Sequence, residues 1–255
     1  MSVQLPLIDE IKPACYTLES LLVGLAIRSA RMSIWKFWSL PRKSQEKSKT
    51  SPLQLRLYAE AMLPTVFGDF LLSVYRDQND EEGALLISKD LEQGDSPFIR
   101  VHSECYTGEV LGSLKCDCRD QLNLALQEIQ KRGCGAVVYL RQEGRGIGLG
   151  NKVRAYHLQN QGANTIEANH QLGFASDLRS FEAAGIILQA RGVHKIVLNT
   201  NNPDKIKGLQ DAGIAIVERI PSLPPLNPHN EDYLRTKMLE MGHDLSPLFS
   251  KKEPR

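Results

Sequence analysis

Residues 120–146 read DQLNLALQEIQKRGCGAVVYLRQEGRG, and two changes of pattern inside that stretch set the fold class. Leu122, Ala125, Leu126 and Ile129 recur at helical spacing, and Gly133 stands where a left-handed C-cap would end the helix. GAVVYL then reads as a strand buried on both faces, and RQEGRG as a polar, glycine-rich loop leaving its carboxyl end. The same rhythm continues downstream. NKVRAYHLQNQG and DLRSFEAAGIILQARG read as helices, KIVLNT as a strand, PDKIKGLQDAG as a helix and IAIVERI as a strand. Repeated helix and strand units predict an α/β layer with largely parallel strands. Ligands bind such sheets beyond the carboxyl ends of the strands, which is where RQEGRG and TNNPDK fall.

Upstream, LPTVFGDFLLSVYR, GALLISKD and SPFIRVHSEC are apolar runs broken by Gly, Asp and Pro, and they predict a small antiparallel sheet. The expected fold is therefore a layered α/β catalytic domain with a strand-rich N-terminal part, spanning residues 56–246, with a tail at 247–255. Residues 1–55 differ in composition. They hold both tryptophans, Trp35 and Trp38, followed at residues 41–52 by the basic, Ser/Lys-rich linker PRKSQEKSKTSP. Three readings of this extension stand side by side: an amphipathic helix for a membrane or partner, a poorly ordered segment with transient helix, or a start at Met32.

With 31 basic and 30 acidic residues interspersed over 255, the chain has a net charge of +1 and no overall field that would draw nucleic acid. The longest apolar candidate, SLLVGLAI at residues 20–27, falls well short of the ~20 residues a membrane span needs. Asp9, Glu10 and Glu19 precede it, unlike the basic start of a secretory signal, so the default expectation is a cytoplasmic protein.

Three of the five cysteines, Cys105, Cys116 and Cys118, crowd into SECYTGEVLGSLKCDC at residues 103–118. In a reducing compartment clustered cysteines point to metal or catalysis before disulfides, and a bond between Cys116 and Cys118 across one residue would be strained. Three thiolates match the ligand count of a catalytic zinc, whose fourth position stays open; His102, Asp117 or Cys134 would close the site into a structural one. Cys134, beside Gly133, reads equally as a small buried residue. GRGIGLG lacks the Lys-Ser/Thr ending of a P-loop and reads either as a phosphate-cradling nest or as a turn.

RVHSEC, CDC, RQEGRGIGL, NKVRAY, EANHQLGF, DLR and TNNPDK, in this order over residues 59–245, strongly resemble GTP cyclohydrolase II, the zinc enzyme that opens the imidazole ring of GTP at the start of riboflavin synthesis. The resemblance implies Cys105, Cys116 and Cys118 as zinc ligands, Asp177 as proton acceptor, Arg179 as nucleophile toward the α-phosphorus and Tyr156 near the base. It implies GTP contacts at Arg100, Val101, His102, Ser103, Glu104, Gln121, Glu143, Gly144, Arg145, Thr165, Thr200 and Lys205. Formate, pyrophosphate and a diaminopyrimidinone ribosyl phosphate would be the products, Mg²⁺ would accompany the triphosphate, and the enzyme would be a homodimer.

The chemistry asks for such residues. Guanine C8 is weakly electrophilic, and zinc can lower the pKa of water to about 7 beside it. Three thiolates leave the site negative, so a neighbouring cation is expected, with Arg100, His102 and Lys115 in reach along the sequence. Arg141, Arg145, Lys152, Arg154 and Lys205 are available for the phosphates. Glu104, Glu143 and Glu167 are candidate readers of guanine's donors, although Glu167 could instead pin a strand edge near TIEANHQ. An arginine keeps its proton in nearly every setting, so Arg179 reads equally as a stabiliser of phosphate charge, and Asp177 also reads as the N-cap of the helix that follows. His157 and His170 read as structural; His194, His229 and His243 read as surface or loop residues. Two positions depart from the usual family words: Arg119 stands for glycine after CDC, and Lys115 for arginine before it. An extension of this length is too short for a fused dihydroxybutanone phosphate synthase, so one reaction is expected.

Overall fold

The computed structural model describes residues 53–250, and residues 1–52 of the N-terminal extension, with its tryptophans and linker, fall outside the described residues. In chain order come strands β1 (Arg56–Thr65), β2 (Gly68–Arg76), β3 (Glu82–Lys89) and β4 (Phe98–Ser103), then helices α1 (Tyr106–Glu109) and α2 (Cys118–Arg132). Strand β5 (Gly135–Leu140) leads to helices α3 (Gly148–Gln159), α4 (Thr165–Gln171) and α5 (Glu182–Ala190). Strand β6 (Lys195–Asn199), helix α6 (Pro203–Asp211), strand β7 (Ala215–Ile220) and helices α7 (Glu231–Glu240) and α8 (Ser246–Phe249) complete the chain.

The strands form one sheet in the order β1-β2-β3-β5-β4-β6-β7. The expected antiparallel sheet is not separate: β1, β2 and β3 are antiparallel neighbours, and β3 continues antiparallel onto β5, from Ala84 opposite Leu140 to Lys89 opposite Gly135. Strands β5, β4, β6 and β7 are parallel.

Alternation of side chains along each strand explains why the central ones read as unbroken apolar runs. Phe98, Val137 and Val197 face α2, where they meet Ala125, Leu126 and Ile129. Ile99, Val101, Val138, Ile196 and Leu198 face the other way, against Ala184, Ile187 and Leu188 of α5 and Leu209 of α6. Helix α2 stops as expected, with Gly133 in the left-handed region at φ 76° and its N–H returned to the Ile129 carbonyl.

The crossover from β4 through α2 to β5 covers one face and runs one way; that from β6 through α6 to β7 covers the opposite face and runs the other way. Neighbouring strands whose connections diverge leave a crevice at their carboxyl ends, here between β4 and β6.

Two local expectations are corrected. Asp177 is not a helix cap: α5 begins only at Glu182, and the Asp177 carboxylate accepts the Arg179 backbone N–H at 3.0 Å in a local turn. TIEANHQ is helix α4 and no strand edge. Asn164 accepts from the Ile166 and Glu167 N–H groups, while the Glu167 carboxylate reaches back to the Asn164 N–H, a reciprocal capping box.

Candidate active site

Cys105 leaves the end of β4 and opens α1, and Cys116 and Cys118 flank Asp117 at the start of α2. The turn between them brings all three sulfurs within 4.8 Å of one another, with Cys105 Sγ 3.6 Å from Cys116 Sγ. Sulfurs at about 2.3 Å from a tetrahedral zinc lie roughly 3.8 Å apart, so the triangle fits that ion. Glycine at 108 is what permits it: a Cβ there would stand 2.8 Å from Cys116 Sγ and 3.2 Å from Cys105 Sγ. Hydrogen bonds from Cys116 and Cys118 hold Cys105 below the usual thiol range, and the bond to Cys105 pushes Cys116 up to about 11. A cation entering the triangle would displace those shared protons.

None of the three candidate fourth ligands closes the site. His102 Nε2 is 2.8 Å from Glu109 Oε1, the Asp117 carboxylate is 2.9 Å from Lys237 Nζ, and Cys134 opens the far end of β5 near Gly94. Among the described residues, no other Cys, His, Asp or Glu joins the triangle.

The cation beside the sulfurs is Lys152 of α3, expected instead at the phosphates. Its Nζ donates to Cys105 Sγ at 3.0 Å and to Glu143 Oε1 at 2.7 Å. Glu143 also accepts from the Tyr106 N–H at 2.6 Å and the Gly144 N–H at 2.7 Å, so both its oxygens are committed. Lys115, by contrast, turns to Asn160 Oδ1 at 2.7 Å. The Tyr156 hydroxyl lies 3.4 Å from Thr107 Oγ1, which lies 3.7 Å from Cys105 Sγ; burial pushes the tyrosine up to about 12.

A cavity of about 530 Å³ runs over the crevice between β4 and β6. Of the residues implied by the resemblance, all line it except Val101 and Asp177. Val101 points into the core and offers only its carbonyl, which accepts from Lys205 Nζ at 2.8 Å. Asp177 stands behind Arg179, gripping its Nε at 2.9 Å and its Nη2 at 2.5 Å.

The cavity is rich in buried cations. Arg100 donates to the Asn199 carbonyl at 3.2 Å and to Gln121, and burial brings its pKa down to about 10. Burial, followed by Arg100, Arg179 and Lys237, drives the Lys205 ammonium well below the usual lysine range. Both terminal nitrogens of Arg145 are buried without a hydrogen-bond partner among the described residues, on a left-handed backbone at φ 60°. Among the described residues none of these three forms a direct ion pair with a carboxylate, a contact that an anionic ligand would supply. Arg141 and Arg154 do not line the cavity; Arg141 pairs with Glu82 at 3.3 Å.

Sequence reasoning missed the wall contributed by α7 and the turn after it. Tyr233, Lys237 and His243 all line the cavity. His243, expected at the surface, is held down to about 3 by burial and then by Lys237, Lys205, Arg179 and Arg145. His157 and His170, expected to be structural, are exposed. The signal available was Tyr233 and Lys237 one helical turn apart. Arg119, the departure after CDC, swings away from the cavity and donates to the Glu109 carbonyl at 2.6 Å.

The sequence profile of the GTP cyclohydrolase II family matches residues 56–221. GTP cyclohydrolase-2 of Salmonella typhimurium is 50% identical over 195 residues, covering 76% of this chain and 100% of that protein. GTP cyclohydrolase-2 of Shigella boydii is 49% identical over the same shares of both chains. A riboflavin biosynthesis protein of Vibrio vulnificus is 47% identical over 78% of this chain and 55% of its own length. With a matching profile over most of the chain and half of the 195 aligned residues identical to relatives matched over their full length, this chain belongs to the GTP cyclohydrolase II family of hydrolases.

Proposed function

We propose that this chain hydrolyses GTP, opening the imidazole ring and releasing formate and pyrophosphate to leave a diaminopyrimidinone ribosyl phosphate, the first step of riboflavin biosynthesis. The observation that carries the reading is one cavity holding both the sulfur triangle and a set of buried cations, of which Arg100, Arg145 and Lys205 have no direct carboxylate partner among the described residues. A purine nucleotide polyphosphate meets both demands. Zinc held by Cys105, Cys116 and Cys118 would supply Lewis-acid activation of water at neutral pH.

The protein's own groups divide the remaining work. Lys152 offsets the charge of the sulfurs and locks Glu143. Glu167 is spent on its helix cap and Glu143 on three donors, which favours Glu104 as the reader of guanine. Burial opposes the charge on Arg179, yet the paired Asp177 carboxylate holds its pKa above the usual range. That supports a guanidinium stabilising charge at the α-phosphate, with Asp177 orienting it, over a deprotonated nucleophile. Arg145, Lys205 and Arg100 would take the remaining phosphate charge, with Mg²⁺ escorting the triphosphate. We further infer a cytoplasmic homodimer with no nucleic-acid partner; among the described residues no helix is long and apolar enough to cross a membrane.

The test is incubation of purified protein with GTP and Mg²⁺, with and without a zinc chelator, with products identified by mass spectrometry. Free formate and pyrophosphate, lost on chelation, are expected. A formylated product would mean a shortened reaction, turnover of another purine nucleotide alone a different substrate, and bound zinc without any turnover a binding module.

A further inference from the structure

The carboxylate between two of the three cysteines is tied to a helix beyond the segment that the family profile covers. Asp117 occupies the N-cap of α2, where an aspartate ordinarily accepts a helix N–H, yet it makes no side-chain cap bond. It is 1% exposed, and its oxygens are taken by Lys237 Nζ at 2.9 Å and Gln121 Nε2 at 2.5 Å. Gln121 in turn accepts from Arg100, which donates to Asn199 at the end of β6. A continuous run of bonds thus leads from α7 through the cysteine turn to the crevice between β4 and β6. Lys237 is itself 9% exposed, and among the described residues Asp117 is the one carboxylate it pairs with.

A buried ion pair that replaces a cap bond contributes little net stability, because desolvation offsets its Coulombic gain. It does fix direction. With its carboxylate held between Lys237 and the Gln121 side chain, Asp117 cannot turn to the backbone N–H groups at the start of α2, and the backbone on either side, which carries Cys116 and Cys118, keeps one orientation. We propose that Lys237 is a positioning residue for the metal-ligand turn, acting through Asp117. The inference rests on the zinc reading above.

Groups of this kind typically alter metal affinity by about 10- to 100-fold when removed. The experiment measures zinc affinity by chelator competition for wild type, Lys237→Met, Asp117→Asn and the double variant, with KM for GTP measured on zinc-saturated protein. Each single variant is expected to bind zinc at least tenfold more weakly, and the double variant no more weakly than the worse single one.

Unchanged zinc affinity in Lys237→Met overturns the proposal, whether KM rises, as for a phosphate-binding cation, or only Tm falls, as for a structural one. Should Lys237→Met not fold, the double variant, which leaves no buried charge unpaired, is read against Asp117→Asn. A further loss of affinity there, or an Asp117→Asn protein that binds like wild type, overturns it equally. A wild-type protein that binds no zinc defeats the metal reading itself, an outcome distinct from all of these.

Discussion

Gly108→Ala tests the sulfur triangle through a single methyl group. The backbone at 108 lies outside the left-handed region and inside a helical turn, so alanine is acceptable there on local grounds. Its Cβ would nevertheless fall 2.8 Å from Cys116 Sγ, 3.2 Å from Cys105 Sγ and 3.5 Å from Cys118 Cβ. Relief would require the two sulfurs to part by several tenths of an ångström, from a spacing of 3.6 Å that already suits a tetrahedral ion. Overpacking of this kind costs about 1–3 kcal/mol. Metal-free sulfurs are free to rotate away and bound ones are not, so most of that cost falls on the loaded state and converts to roughly 5- to 100-fold in zinc affinity. Chelator competition on Gly108→Ala reads the effect directly. Gly150→Ala, on a helical glycine with no atom within 4 Å of the added Cβ, serves as the control and should bind like wild type. Zinc affinity within twofold of wild type in Gly108→Ala would refute the packing argument.

Lys205→Met should weaken GTP binding, seen as KM, by roughly 10- to 100-fold, the worth of one charge-assisted phosphate contact. The same change removes a lysine crowded by Arg100, Arg179 and Lys237, so Tm of the ligand-free protein should not fall; a lower Tm would contradict its placement. His243 is held near 3, below the 6.5 of an unperturbed histidine, so between those values the unfolded chain binds the extra proton and stability falls as the pH falls. Urea unfolding of His243→Gln against wild type should show a pH dependence shallower by up to about 1 kcal/mol per pH unit in that window. An identical slope would mean that the ring is solvated. Arg119→Ala should leave kcat/KM for GTP within about twofold, since the side chain is exposed and, among the described residues, donates to the Glu109 carbonyl alone. A larger change would give this departure from the family words a role in substrate choice.

The layered fold was legible because its signals are local. Leu122, Ala125, Leu126 and Ile129 gave α2 by spacing, Gly133 gave its end, GAVVYL gave a buried strand and KIVLNT a strand. The cysteine cluster was legible by its crowding, and most of the residues that line the cavity by runs of resembling residues. What stayed hidden depends on pairings between distant segments. No spacing rule says that Lys152 turns to Cys105 across 47 positions, or that Lys237 reaches Asp117 across 120. The fusion of the antiparallel strands to the parallel ones likewise rests on β3 lying beside β5, a choice made by the assembled sheet. Asp177 misled for a different reason: its carboxylate had two local partners open to it, a helix terminus and an arginine two residues on, and the arginine won.

The left-handed turn at Arg145 has an evolutionary corollary. A residue with a Cβ gives up about 1–2 kcal/mol to sit there, and glycine would not. Selection for the stability of this turn alone would favour glycine, and on the proposed function the guanidinium, whose terminal nitrogens have no hydrogen-bond partner among the described residues, is what keeps an arginine in place. A descendant that had abandoned nucleotide chemistry while keeping the scaffold would drift to glycine or asparagine at this position, which makes it a marker for sorting working copies from retired ones.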